Sequence, residues 1–373
     1  MTTPLSLDPA AFLCSTSSQT LKRPIGIQRR SSICNWDSPL TSIGNYSYHR
    51  HMKCVHLKTL FRSTHCLWMM LILCLVYPVS ADGGVGTTSF SFVRIIPGAR
   101  QAALGGAFAS VAGDVNNMMW NPAGLARIQT KQVVATLSNY FLDLQYGLIG
   151  YAHPLHANQV VGIGIQYLSF GSFQETTPTD PTGSQLGTFG ADDLAIALSY
   201  SRQFGAYLSG GANLKLLYER IKDTSMDGLA VDMGLHLSIP GRRIHGAVVL
   251  QNAGLVRSSL AGRRDPLPLS IRAGVGYTPA HLPLLILLEV ETGRSQGLAG
   301  RIGGEFTMRE RFFVRGGYAS TANDLRLEPS DSRLTGVTGG IGIQARSYRL
   351  DYAVTPTLRL GTVHRISLTY HFK

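Results

Sequence analysis

From residue 132 to its end the chain repeats one pattern: short segments in which apolar and polar side chains alternate with a period of two. In Val231-Asp-Met-Gly-Leu-His-Leu-Ser-Ile239 the odd positions are apolar, while Asp232, His236 and Ser238 share the other face. Leu194, Ile196, Leu198 and Tyr200 alternate with Ala195, Ala197 and Ser199, and Tyr348, Leu350, Tyr352 and Val354 with Arg349, Asp351, Ala353 and Thr355. The chain closes on Ile366, Leu368, Tyr370 and Phe372 set against Arg365, Ser367, Thr369 and His371. Period two with one apolar face specifies strands. Glycine, 41 of 373 residues, falls inside these segments and not in one tract. After residue 82 no apolar run approaches the about 20 residues of a membrane-spanning helix; the longest is 282–288.

The pattern predicts about fourteen strands, near 132–140, 144–153, 159–170, 192–204, 206–220, 226–238, 244–253, 269–278, 282–292, 299–308, 311–320, 335–346, 348–355 and 363–372. The connections sort by parity. The third, seventh and eleventh (171–191, 254–268 and 321–334) are long, while every even-numbered connection is short. An up-and-down antiparallel barrel with both termini on its short-turn side has this rhythm. The expected fold is therefore all-β, a transmembrane antiparallel β-barrel of about 14 strands. Its polar face carries Lys215, Arg272, Arg301, Arg315, Arg346, Arg349 and Arg365 beside Glu219, Asp232, Glu289, Glu291, Glu305 and Asp351. Balanced signs argue against a single-sign ion pore and leave two readings: a cross-linked interior, or charges solvated by lumen water.

The first fifth of the chain is different. It holds all five cysteines, Cys14, Cys34, Cys54, Cys66 and Cys74, so the remainder has no thiol for catalysis, zinc or disulfides. Lys53, Lys58 and Arg62 precede the apolar stretch 67–77, and Val79-Ser80-Ala81 ends it with small residues. That is the pattern of a cleavable secretory signal over 52–81. Residues 1–51 then read as an upstream extension from a misassigned start, with translation beginning at Met52. Eight of the 34 Lys+Arg and two of the 22 Asp+Glu lie before residue 82, so the formal charge falls from +12 to 26 − 20 = +6. Most of the case for a nucleic-acid partner goes with it.

Residues 82–131 do not alternate. RIIPGARQAALGGAFASVAGDVNNMMWNPAGLARI, from Arg94 to Ile128, is rich in Ala and Gly, with a short helix expected over 99–112 and a turn at Asn121-Pro122. Small residues ahead of a barrel suit an N-terminal plug packed in the lumen. The run ending in Asn121-Pro122-Ala123-Gly124-Leu125 resembles the hatch of FadL-type outer-membrane proteins. With PGARQAALGGAFAS, Asp114 and Trp120 directly before NPAG, it is similar to the PorV/PorQ branch. The resemblance implies a non-enzymatic component of type IX secretion. It also implies outer-membrane lipid and translocon or attachment-complex proteins as partners, together with the C-terminal signal domains of cargo. Trp120, Asn121, Pro122, Ala123 and Gly124 would form the hatch motif. The alternative is a FadL-like transporter of long-chain fatty acids or other hydrophobic solutes, opened by movement around 121–123. A greasy tunnel behind the hatch would favour transport, and a charged, filled lumen partner binding.

No HExxH, GxSxG, Walker A or EF-hand pattern occurs, so no catalytic residue, metal ligand or cofactor is assigned. His153 and His156 flank Pro154 at a turn and read as surface residues. Glu289 and Glu291 read as part of a structural network with arginines. Asp192-Asp193, closing the longest loop, reads as a solvated strand start, with a calcium site as the sharper option. Tyr140, Phe141, Tyr167, Phe170 and Phe173 fall near the extracellular rim, either as an interfacial aromatic girdle or as a partner-binding surface.

Overall fold

The computed structural model describes residues 86–373, apart from 141–143, 185, 260–261, 263, 295, 322–334 and 358–360. The expected signal segment, the extension before it and Phe141 lie outside the described residues. Fourteen strands follow the order the alternation predicts. They are β1 (Gln132–Asn139), β2 (Gln145–His156), β3 (Gln159–Gln174), β4 (Thr188–Phe204), β5 (Leu208–Ile221), β6 (Thr224–Ile239) and β7 (Ile244–Val256). The second half comprises β8 (Ser270–Tyr277), β9 (Leu284–Gly293), β10 (Gln296–Met308), β11 (Phe312–Ala319), β12 (Val337–Ala345), β13 (Tyr348–Pro356) and β14 (Thr362–His371). Each pairs antiparallel with its sequence neighbours, and β1 closes on β14. Closure removes the sheet edge, the only way strands satisfy their backbone inside hydrocarbon.

β3 and β4 run further than the alternation indicates, past 170 and before 192. Phe173 and Phe189 pack with ring centroids 5.6 Å apart. The Gln174 amide donates to the Gly183, Leu186 and Gly187 carbonyls at 2.7, 3.0 and 3.2 Å. These contacts carry the hairpin beyond the wall. A bulge between Ser169 and Ser172 marks where it departs.

Side-chain parity divides the barrel. Leu137, Ile149, Leu198, Met233, Leu288 and Ile366 face outward and are exposed, Leu137 by 73%. A continuous apolar belt of this kind is tenable only against lipid. Exposed tyrosines edge it on both sides: Tyr167 and Tyr218 near the odd-numbered connections, Tyr207, Tyr277 and Tyr348 near the short turns. The inward face is polar and packed. Arg346, expected there, instead occupies the β12–β13 turn with a left-handed backbone (φ 53°) and is exposed.

Residues 86–131 fill the lumen. The helix α1 (Ala99–Ala103) touches β11, β12, β13 and β14; the 3-10 turn Val115–Met119 touches β1 to β4; the 3-10 turn Pro122–Arg127 touches β3 to β6. One segment can meet strands around the whole circumference only from inside. The helix is shorter than the expected 99–112, because Gly105 and Gly106 turn the chain with positive φ.

Candidate functional site

The segment that fills the lumen, here called the hatch for the expectation it carries, contains the motif the sequence singled out. Trp120, Asn121, Pro122, Ala123 and Gly124 are all buried. Asn121 Oδ1 accepts the Ala123 N–H at 3.1 Å and its Nδ2 donates to the Ala109 carbonyl at 2.7 Å. The side chain thereby caps a 3-10 turn whose first position is Pro122, where a missing N–H costs nothing. The turn presses on the wall: a Cβ at Gly211 of β5 would lie 2.5 Å from the Pro122 carbonyl carbon. Trp120 stacks under the Arg272 guanidinium, 3.8 Å from the ring centroid.

Charge fastens the rest. Arg100 meets Asp114 (3.0 Å) and Glu305 (2.5 Å); Glu305 meets Arg315 (2.5 Å); Arg315 meets Asp351 (2.8 Å); Asp351 meets Arg349 (2.7 Å); Arg349 returns to Asp114 (3.3 Å). Three arginines and three carboxylates thus alternate in a closed ring, two members from the hatch and four from β10, β11 and β13. Burial alone would raise the Asp114 carboxyl, but Arg349, Arg100 and the Asn116 N–H hold it well below the usual carboxylate range. A second cluster joins Arg272 and Arg301 to Glu289 and Glu291. Glu289 Oε2 also accepts the hatch N–H groups of Phe108 (2.9 Å) and Ala109 (2.8 Å). Of the two lumen readings, the cross-linked one describes this interior.

At the end carrying the odd-numbered connections the hatch leaves space. A cavity of about 530 Å³ lies among Phe90, Phe92 and Ile95 of the hatch, Tyr140 and Leu144 of the first connection, and Leu168, Phe170 and Met226 of the wall. This falls within the about 300–1,000 Å³ of small-molecule sites. Its floor is the 3-10 turn Ser91–Arg94, held by Gln166 Nε2 donating to the Phe92 carbonyl at 2.9 Å. Asp193 and Glu219 also line it.

The expected rim residues therefore divide. Tyr140 and Phe170 line the cavity. Tyr167 faces outward and its hydroxyl bonds Asp192; Phe173, 43% exposed, stands on the long hairpin. Asp192 and Asp193 sit within β4, not in a loop, and point to opposite faces. Asp192 pairs with Arg220 outside at 2.8 Å, so the two cannot share a calcium ion. His153 bonds the Tyr151 hydroxyl at 2.9 Å near the β2–β3 turn. No cluster of three or more His, Cys, Asp or Glu suited to a metal occurs among the described residues. Sequence reading missed the pocket's hatch residues, Phe90, Phe92 and Ile95, and the role of Arg100. Alternation places Glu219 on the inward face; the same parity would have placed Asp193 beside it on the paired strand.

Residues 79–259 match UPF0164, an uncharacterised protein family. The match spans the hatch and the strands through β7. No curated protein matches the sequence. Among solved structures the chain is similar to the Ralstonia pickettii toluene transporter TbuX, with a TM-score of 0.54 and 12% identity over 75% of this chain and 100% of that one. It is similar to the Pseudomonas putida toluene transporter TodX, at 0.51 and 12% over 73% and 96%. A Pseudomonas aeruginosa FadL homologue gives 0.50 and 11% over 74% and 98%. At these identities the likeness is one of fold: the chain has the barrel architecture of FadL-like outer-membrane proteins.

Proposed function

We propose that this protein is an outer-membrane barrel that takes small hydrophobic solutes from the outer face, with no chemical step of its own. The observation that carries the reading is the aromatic- and aliphatic-lined cavity at the loop end, with hatch side chains as its floor. An apolar solute leaving water for such a pocket gains about 25 cal/mol per Å² of apolar surface buried. Onward passage requires the hatch to shift, because the lumen behind the cavity is filled. The toluene transport named for two proteins of the same fold supports the class of solute.

One observation favours a second reading, a partner-binding role in type IX secretion. The lumen is charged and cross-linked to the hatch, which suits a rigid platform for a cargo signal domain or attachment-complex protein. Tyr167 and Phe173, exposed at the loop end, would then contribute to the docking face.

The test is a deletion strain compared with its parent, in two assays. Slower uptake of radiolabelled toluene, with an unchanged surface and secreted proteome, is the expected result. Loss of signal-domain-bearing proteins from the surface, with uptake unchanged, would replace the transport reading with the secretion reading.

A further inference from the structure

The charged side chains that line the cavity are all acidic. Asp193 of β4 and Glu219 of β5 are directly paired across the ladder and both line the cavity. Like charges in register on one face of a sheet repel. Asp193 is 94% buried, its residue exposure being 6%. No described side chain forms an ion pair or hydrogen bond with its carboxylate, and the neighbouring charge that acts on it is a further carboxylate, Asp192. Glu219 accepts only a backbone N–H, that of Phe90.

Among the described residues the cavity lining supplies no counter-charge. The hatch contributes Thr88, Ser89, Phe90, Ser91, Phe92 and Ile95; the first connection contributes Tyr140; the seventh contributes Ser259 and a third acid, Asp265. No Lys, Arg or His lines the cavity among the described residues. Arg365, a buried cation of β14, is engaged by Tyr140, its guanidinium 5.5 Å from the ring centroid, and does not line the cavity. Elsewhere in this lumen every buried acid has a basic partner, as the ring and the Arg272–Arg301 cluster show. The exception therefore coincides with the cavity.

We propose that the cavity is a site for amphipathic cations: an alkyl- or aryl-ammonium whose apolar body lies against Phe90, Phe92, Leu168 and Phe170 and whose cationic head meets Asp193 and Glu219. The inference rests on the solute-binding reading above and narrows its substrate class. A carboxylate pair with one member buried and the other half-buried gains most from a ligand that brings both charge and hydrogen-bond donors. A fatty-acid carboxylate placed there would add another like charge. A bare divalent cation fits less well, since calcium takes about six to eight oxygen ligands and this lining is largely hydrocarbon.

Three probes of equal chain length decide the matter: octylammonium, octan-1-ol and octanoate, titrated calorimetrically at pH 7 into the full chain in maltoside. Calcium chloride alone serves as a fourth titrant. Octylammonium is expected to bind at least about tenfold more tightly than octan-1-ol, and octanoate not measurably. In Asp193→Asn and Glu219→Gln that preference should collapse toward the level of octan-1-ol, with heat-modifiable gel migration confirming the folded barrel. Equal binding of octylammonium and octan-1-ol, or an undiminished preference in both variants, overturns the cation site and leaves the solute-binding reading standing. Calcium binding without an octylammonium preference also overturns it. Binding of none of the four overturns both readings.

Discussion

Each carboxylate of the hatch ring compensates two guanidinium groups, so removing one member exposes two others. Glu305 receives both Arg100 and Arg315. Truncating one partner of a buried ion pair costs about 3–5 kcal/mol, because the remaining charge stays buried and uncompensated. Glu305→Ala should therefore loosen the hatch by that order while the barrel wall persists, read as faster proteolysis between residues 86 and 131 with unchanged heat-modifiable migration. Asp114 sets the acid limit of the same ring. Its carboxyl is held below the usual value near about 3.9 despite burial, by Arg349 and Arg100. A depressed folded pKa contributes stability that is present above the unfolded value and is lost as pH falls through the folded one. Amide exchange at Asn116, corrected for its intrinsic rate, should stay flat from pH 7 to 5 and quicken only below about pH 4. Protection already lost at pH 5 would show that Asp114 does not govern the ring. The inward residues of this ring were legible from alternation, since Glu305, Arg315, Arg349 and Asp351 all fall on the polar face. Arg100 was not, because it lies in a segment without periodicity.

The strands could be read from sequence because a lipid-facing wall imposes period two on each of them, and the alternating long and short connections fix their direction. The hatch could be located but not shaped. Its conformation is set by fit to the wall, and that fit depends on glycines scattered along the strands. Gly211 shows the relation: its missing Cβ is the space in which the Pro122 carbonyl sits. Gly303 does the same for the Leu104 carbonyl, 2.7 Å from where a Cβ would be. Glycine inside a strand marks the close approach of another backbone, but one sequence does not say which backbone. Gly211→Ala should force the Asn121–Gly124 turn off the wall, an overpacking cost of about 1–3 kcal/mol. The measurement is thermal unfolding followed by Trp120 fluorescence in the variant lacking other tryptophans. Alanine at Gly246, where nothing lies within 4 Å of the added atom, is the control expected to leave the transition unchanged.

At the scale of the whole molecule, transport and partner binding make opposite demands on the hatch. A solute entering the cavity has to displace part of the segment that fills the lumen, whereas a docking platform works with the hatch fixed. The chain after Cys74 has no cysteine, so an engineered pair there has no competing thiol. Ala109 and Gly274 are suited to one: a Cβ built on Gly274 lies 3.3 Å from the Ala109 Cβ, close to the about 3.5–4.5 Å of a disulfide. Ala109 belongs to the part of the hatch already tied to Glu289, and β8 is a fixed element of the wall. Under oxidation Ala109→Cys/Gly274→Cys should join hatch to barrel, seen as a mobility shift that reductant reverses. If solute passes by hatch movement, toluene uptake into vesicles carrying the double variant should drop on oxidation to the level of empty vesicles and return with reductant. The single-cysteine variants should stay at the unmodified rate under both conditions. Uptake that ignores the lock would remove the axial path through the hatch. A rate that never exceeds that of empty vesicles, locked or unlocked, would leave the fixed hatch in the role the secretion reading gives it, as the rigid filling of a docking barrel.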